Sequence, residues 1–301
     1  MQFLKTWSKG KQIIRIIGMM ILPIYLLTSC TSTPPSLQHE QISEETSSSE
    51  NAINTYESPF SVTRADLNTD DSSASHIDLS TVSDRYVISD AGDYLLTGAL
   101  DGSICVDAEE QVVHLIFDGI DIHSYTGPAL SVISASKVII TVKSDTVNTL
   151  RDSGYYDVSG EENACIYSVS DLTINGDGVL NIYGFYMDAI HSKDVVKILG
   201  GEISILSKRD GIRGNDGILV RTDILSIESE SSGLHTTKTS SNIQGDIEIS
   251  GGDLSIISGD YAISSVGSLY VSECSIYCKG ILANYHVGGN LTIQEGCLKN
   301  E

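Results

Sequence analysis

Four aspartates near the middle of the chain lie in two short segments that share one carboxylate pattern. In DAIHSKD and DGIRGND, Asp210 follows Asp188 by 22 positions, and Asp216 follows Asp194 by the same 22 positions. If the fold stacks these pairs one strand spacing apart, about 4.8 Å, both carboxylates of a pair ionise cheaply only when a cation lies between them. Calcium suits such a site because it takes about six to eight oxygen ligands in flexible geometry. The predicted calcium ligands are Asp188, Asp194, Asp210, Asn215 and Asp216.

Turn chemistry offers a second interpretation of the same residues. Asp-Gly and Asn-Asp pairs are frequent at β-turns because their side chains cap nearby backbone groups. A third copy of the segment, SSGLHTTK, carries Ser232 and Lys238 where the first two copies carry aspartate. We therefore expect the carboxylate series to end at the second copy, with Lys238 closing it as an ion pair.

A second polar series follows the same spacing. It consists of His191, Arg213 and His235, each 22 positions from the last, with Lys193 close to the first. Beside a calcium site these side chains could bind an acidic sugar. They could instead supply a base that removes a proton next to a uronate carboxylate, for which Arg213 or Lys193 is best placed, or form only the exposed polar face of an acidic protein. We assign His191, Lys193, Arg213 and His235 to ligand binding and no residue to catalysis.

The spacing extends beyond the charged residues and defines the fold. The chain reads apolar-x-apolar-x-Gly-Gly-x-apolar-x-apolar at 196–205, with related copies at 218–227 and 247–256. Alternating β-branched residues indicate strands, and a fixed period of this length is typical of repeat proteins. The unit is too short for a strand and a full crossover helix, and the consensus of leucine-rich repeats is absent. We therefore predict an all-β fold, a right-handed single-stranded parallel β-helix with about 22 residues per coil.

The N-terminus has the features of a bacterial lipoprotein signal peptide. Lys5, Lys9, Lys11 and Arg15 precede an apolar run that leads into LTSC, ending at Cys30. A transmembrane anchor is the alternative, but the run is shorter than the roughly 20 residues that a spanning helix needs. We therefore predict a signal peptide over residues 1–29, lipidation of Cys30, and a lipoprotein anchored to the membrane at the cell surface.

Two further segments follow the signal peptide. Residues 30–75 are rich in Ser, Thr and acidic residues and should form a disordered tether, whereas residues 76–301 alternate regularly and should form the β-helix domain. The chain ends partway through a repeat unit without a capping element, which is typical of a truncated solenoid. After removal of the signal peptide, 14 basic residues face 40 acidic ones. Such a surface argues against nucleic acid as a partner and favours polyvalent cations, and we expect a monomer.

Five cysteines remain besides Cys30. Their odd number and irregular spacing do not describe a disulfide framework, and no Cys/His metal spacing is present, so the sequence does not determine the state of these thiols. They are Cys105, Cys165, Cys274, Cys278 and Cys297.

Several segments in order resemble a family of bacterial cell-surface proteins described as carbohydrate-binding domain-containing. They are the run GDYLLTGALDGSICVDAEEQVVHLIFDGIDI at 92–122, TVNTLRD at 146–152, ENACIYSVSDLTINGDGVLNIYG at 162–184 and the two aspartate segments. The resemblance covers about residues 85–301. It implies a calcium-binding parallel β-helix similar in architecture to pectate lyases. Coils after residue 232 lack the aspartate of the family pattern, so fewer calcium sites are expected.

Together these observations favour a surface lipoprotein that binds polysaccharide through a calcium-stabilised β-helix. The polymer is expected to be pectin-like or cellulose-like, and a neutral glucan would depend on stacking by Tyr183, Phe185 and Tyr186. Two alternatives remain open: a calcium-dependent polysaccharide lyase of the pectate type, and a structural or adhesive surface protein.

Overall fold

The computed structural model describes residues 56–156, 160–239 and 243–299. The predicted signal peptide, Cys30 and the first part of the predicted tether lie outside the described residues. Within them the protein is all-β, with parallel strands and only two three-residue 3₁₀ helices, Ala65–Leu67 and Leu79–Thr81. No described helix has the length and apolar character needed to span a bilayer.

Twenty-five short strands make up the fold. In chain order they are β1 (Ser75–Asp78), β2 (Arg85–Ile88), β3 (Gly92–Asp101), β4 (Ser103–Asp107), β5 (Val112–His123), β6 (Leu130–Ser134), β7 (Lys137–Val142), β8 (Val147–Arg151), β9 (Ala164–Ser168), β10 (Asp171–Gly176), β11 (Val179–Gly184), β12 (Asp188–Ser192), β13 (Val195–Ile198), β14 (Glu202–Ser207), β15 (Ile212–Gly214), β16 (Gly217–Val220), β17 (Ile224–Ser229), β18 (Leu234–His235), β19 (Asp246–Ser250), β20 (Asp253–Ser258), β21 (Tyr261–Ser265), β22 (Leu269–Ser272), β23 (Ser275–Gly280), β24 (Ala283–Val287) and β25 (Leu291–Ile293).

From β7 to β22 each strand pairs in parallel with the strand three positions further along the chain. This gives three hydrogen-bonded ladders, of which two are joined in one 16-stranded sheet because the long strand β5 pairs with both β7 and β8. The third ladder is a separate nine-stranded sheet that runs from β2 to β24. The register reproduces the sequence period, since Ile190 lies beside Ile212 and Val196 beside Ile218. The predicted all-β, parallel, repeating fold is confirmed, and what is observed is two parallel sheets.

The core lies between the ladders and is built by the alternation of each strand. In β14, Ile203 and Ile205 are buried while Glu202 and Ser204 are exposed. Inward residues of successive units stack on one another, as Leu225 does on Ile203. Burying such a side chain contributes about 1.5–3 kcal/mol, and a unit buries its apolar face only against its neighbours.

Residues 56–74 lie on the outer face of the ladder that contains β7, β10 and β13, although the sequence placed them in the tether. Asp66 is completely buried and forms ion pairs with Lys137 at 2.9 Å and Lys197 at 3.3 Å. Burial acts to raise the pKa of Asp66, but hydrogen bonds led by that from Lys137 hold the pKa well below its usual range. Phe60 packs on Leu219. The folded domain therefore includes residues before the predicted boundary at residue 76, because side chains of residues 56–74 contact residues that are distant in sequence.

The five cysteines of the domain are free thiols. Cys278 replaces an apolar residue of the repeat and packs against the core. Burial raises its pKa to about 12, so the thiol is inert at neutral pH.

Candidate functional site

The polar series predicted from the sequence lies in register on one face of the nine-stranded sheet. Tyr167 on β9, His191 on β12, Arg213 on β15, His235 on β18 and Ser264 on β21 occupy equivalent positions on neighbouring strands. The residue before each of them is apolar and buried, so alternation directs these five side chains to the outer face of the sheet. We call these five residues the basic row.

Hydrogen bonds hold the basic row together. His191 Nδ1 lies 2.5 Å from Asn163 Oδ1, and its Nε2 lies 3.3 Å from Asn215 Oδ1. Arg213 Nε donates to the same amide oxygen of Asn215 at 3.3 Å. The Tyr167 ring meets the His191 ring edge-on at 5.6 Å. Burial, followed by the nearby charge of Arg213, lowers the pKa of His191 to about 4. His191 is therefore neutral near pH 7, and the charge at the centre of the row belongs to Arg213.

Two of the predicted calcium ligands, Asp188 and Asp210, lie buried beside this row. Arg209 holds Asp188 with two hydrogen bonds, from Nε at 2.6 Å to one carboxylate oxygen and from Nη2 at 2.5 Å to the other. The backbone N–H of Asp210 also donates to Asp188, at 3.0 Å. Asp210 in turn accepts from the backbone N–H of Ser232 at 3.1 Å and from His235 Nδ1 at 2.7 Å.

The two buried carboxylates differ in their protonation behaviour. The pKa of Asp188 is raised, chiefly by burial and only partly offset by the hydrogen bonds from Arg209. Burial acts on Asp210 in the same direction, but the hydrogen bond and charge of His235 outweigh it and the pKa of Asp210 is lowered.

All four oxygens of this pair already accept N–H donors, so the arrangement does not fit a calcium ion. Among the described residues no group of three or more His, Cys, Asp or Glu side chains is arranged to hold a metal.

The second predicted pair, Asp194 and Asp216, has a different environment. Lys238 Nζ lies 2.7 Å from Asp216 Oδ1, which is the ion pair expected to close the series. The pKa of Asp194 is raised by burial and then by the charges of Asp171 and Asp216. The carboxylates of Asp171, Asp194 and Asp216 therefore lie close to one another, beside the exposed side chain of Lys238. The side chain of Asn215 does not join them, because its amide oxygen is engaged in the basic row.

Lys193, also assigned to ligand binding, forms an ion pair with Glu161. The hydrogen bond to Glu161 raises the pKa of Lys193, so this amine stays protonated and is a poor base. Arg213, by contrast, makes no ion pair within the part of the chain that the structure describes.

The arrangement can therefore present the guanidinium of Arg213, between hydrogen-bonding side chains, to an anion. Sequence reasoning missed that Arg209 pairs with Asp188 and that His235 hydrogen-bonds to Asp210. The sequence did contain one signal for the first of these contacts. Arg209 directly precedes Asp210, which the repeat places beside Asp188, so Arg209 was expected to lie close to Asp188.

Comparisons with known proteins agree with this fold. The family described as carbohydrate-binding domain-containing protein matches residues 83–296. A protein of that description from Acetivibrio thermocellus is 31% identical over 253 residues, which cover 80% of this chain and 88% of the relative. A solved structure described as a gadolinium derivative of the polysaccharide lyase-like protein from C. thermocellum superimposes with a TM-score of 0.68 at 29% identity. That match covers 71% of this chain and 89% of the other.

Proposed function

The chain belongs to the family of carbohydrate-binding domain-containing proteins, and on that basis we propose that it is a cell-surface lipoprotein that binds an acidic, pectin-like polysaccharide along the basic row. The fold we propose for this role is the right-handed single-stranded β-helix, monomeric and anchored through Cys30. The observation that carries the proposal is the position of Arg213. Its guanidinium lies on the outer face between His191 and His235, with no carboxylate partner among the described residues.

A uronate carboxylate is the natural ligand of such a group. Guanidinium and carboxylate match in a planar, two-point geometry, and the neutral groups beside Arg213 can bond sugar hydroxyls. Lys193 is less available, because Glu161 already pairs with it. Tyr167, His191 and Ser264 are buried, so Arg213 and the half-buried His235 are the members of the row that can meet a polymer chain running across the strands, which lie about 4.8 Å apart.

We further propose that calcium assists binding at Asp194 and Asp216. The proposal is restricted to this pair because the oxygens of Asp188 and Asp210 are engaged. Lys238, whose side chain is 45% exposed, would leave Asp216 when the ion binds. A divalent cation here would reduce the repulsion between a chain of net charge −22 and an anionic polymer.

Binding to polygalacturonate, measured by isothermal titration with and without calcium, tests the proposal. Arg213→Ala should weaken binding about ten- to a hundredfold, because a hydrogen bond to a charged group contributes about 1.5–3 kcal/mol. Arg64→Ala, which removes the same charge from the exposed segment outside the basic row, is the control and should bind normally. Equal affinity of the two variants would show that the basic row is not the site. Failure of a folded, calcium-loaded protein to bind any polymer would favour a structural or adhesive role.

A calcium-dependent lyase is the second candidate, and the similarity to a structure described as polysaccharide lyase-like favours it. Of the two groups predicted to be nearest to the role of base, Lys193 is engaged by Glu161, and Arg213 would act as a base only after losing the proton that it carries at neutral pH. Incubation with polygalacturonate should then produce the ultraviolet absorbance of an unsaturated uronate. A protein that binds the polymer without this absorbance is a binding protein only.

A further inference from the structure

Two of the free thiols lie side by side in the last described unit of the repeat, which consists of β23, β24 and β25. Cys274 comes directly before β23, and Cys297 follows β25, 23 positions along the chain. A parallel bridge pairs Ile276 with Leu298, and the backbone N–H of Ile276 donates to the carbonyl oxygen of Cys297 at 2.7 Å. The two cysteines therefore lie on adjacent chain segments, offset by one position.

The spacing of these segments suits a disulfide. Neighbouring parallel segments lie about 4.8 Å apart and successive residues rise about 3.3 Å, so an offset of one position places the two Cα atoms about 6 Å apart. Disulfides most often join Cα atoms about 5.5–6 Å apart. Cys297 is buried in the core and Cys274 packs against the same core. Burial, followed by the charge and hydrogen bond of the Cys297 thiol, raises the pKa of Cys274 to about 12, so the two thiols are in contact.

The third thiol of this unit, that of Cys278, has a different partner. It lies within β23 and hydrogen-bonds with the Tyr285 hydroxyl. The three positions from Ser275 to Cys278 alone span about 10 Å of extended strand, whereas a disulfide joins Cα atoms no more than about 7 Å apart. The other two cysteines of the domain lie far earlier in the chain, in β4 and β9. Cys297 is therefore the partner within reach of Cys274.

The unit that these thiols enclose is supported from one side. Among the described residues, β24 and β25 end their ladders, so each pairs with one neighbouring strand. Ile281 is 81% exposed and Leu282 is 63% exposed. Because the units of a repeat protein are stabilised by their neighbours, a unit with one neighbour opens more readily than an internal one. A link from Cys297 back to Cys274 would close a loop around all three strands and restrict that opening.

We propose that Cys274 and Cys297 are a modification site, at which a disulfide oxidant of the glutathione class joins them and closes the last described unit into a covalent ring. Cys274, the more exposed of the two, attacks the oxidant as the thiolate, releases one glutathione and retains the other as a mixed disulfide. Cys297 then attacks the Cys274 sulfur and displaces the second glutathione. Two electrons pass from the cysteines to the oxidant, and the two cysteine protons leave on the released thiols. The site is independent of polysaccharide binding.

Oxidation of the full-length protein by excess oxidised glutathione near pH 9 tests the proposal, because the thiolate is the reacting form. Peptide mapping without reduction should find one cross-link, between Cys274 and Cys297, and the thiol titre in denaturant should fall by two. Cys297→Ala should retain glutathione on Cys274 and form no internal cross-link. Cys278→Ala is the matched control and should form the same cross-link as the parent. A cross-link to Cys278 in the parent, or none, would overturn the assignment without recourse to a variant.

Hydrogen exchange measures the effect of the cross-link on the unit. In the oxidised parent, the amides of β23, β24 and β25 should exchange at least about tenfold more slowly than in the reduced parent, because the closed loop restricts the opened state. Amides of β9 to β12 should be unaffected, as should all amides of Cys297→Ala after the same treatment. Equal exchange in the oxidised and reduced parent would show that the disulfide does not stabilise this unit.

Discussion

Removing the guanidinium of Arg209 should destabilise the protein strongly, although Arg209 lies near the surface. Asp188 is completely buried, and Arg209 supplies two of its three hydrogen bonds. Hydrogen bonds to charged groups contribute about 1.5–3 kcal/mol each, and breaking a buried ion pair from one side costs about 3–5 kcal/mol. We therefore expect Arg209→Met, which keeps an apolar stem but no donor, to lose about 3 kcal/mol or more. In a domain of this size that loss lowers Tm by about 6–12 °C.

The neighbouring residue provides a matched control. Lys208 pairs with Glu230, and the two side chains are 54% and 62% exposed. Exposed pairs contribute about 0–1 kcal/mol, so Lys208→Met makes the same change of charge at little cost. The double variant Asp188→Asn with Arg209→Met should recover part of the loss, since no charge remains buried, and a double-mutant cycle isolates the coupling between the two side chains.

Urea denaturation at pH 7 of five proteins, the parent, the three variants named and Asp188→Asn alone, measures these differences and completes the cycle. A loss for Arg209→Met no larger than that for Lys208→Met would refute the reasoning, because Asp188 would then not depend on the ion pair. Equal destabilisation of the single and double variants would point instead to lost packing of the arginine stem.

Three further predictions concern acidity, calcium and anchoring. Burial raises the pKa of Asp152 to about 6, against about 3.9 in an unfolded chain. The folded state therefore binds the proton more tightly, and its unfolding free energy should fall by about 2 kcal/mol as pH rises from 4 to 6. Asp152→Asn should flatten that slope in urea denaturation at several pH values, and an unchanged slope would assign it to other groups. Excess calcium should raise Tm by mass action, and Asp194→Asn with Asp216→Asn should abolish the rise; a parent Tm indifferent to calcium would contradict the proposed site. Cys30→Ser should abolish labelling by fatty acid and release the protein from membranes, whereas identical fractionation of both forms would argue against a lipid anchor.

Spacing alone was enough to predict the repeating parallel fold and the alignment of His191 with Arg213 and His235. Apolar side chains that recur at a fixed period can be buried only by neighbouring units, so the register of the core fixes the register of every outward residue. The stacking of Asp188 beside Asp210 follows from the same rule.

The partners of the carboxylates could not be predicted in this way. The repeat period predicts which residues are aligned on neighbouring strands, but it does not predict the direction in which a long side chain such as that of Arg209 extends. That direction decides whether Asp188 contacts a cation of the protein or a metal ion. The contact between Asp66 and Lys197 spans 131 positions and carries no periodic signal. Asp121 and Arg151, which form an ion pair, lie 30 positions apart because the early units depart from the regular length. The period of 22 residues therefore did not indicate this pair.

The use of internal cations has a consequence for the surface. Asp66 and Asp188 pair with Lys137, Lys197 and Arg209, so those bases are unavailable to a ligand, and fewer cations remain at the surface than the composition implies. Raising the salt concentration would then weaken the contact between Arg213 and a uronate while also screening the repulsion from the rest of the protein, since the screening length is about 10 Å at 0.1 M salt. These opposing effects should make polygalacturonate binding pass through a maximum with salt.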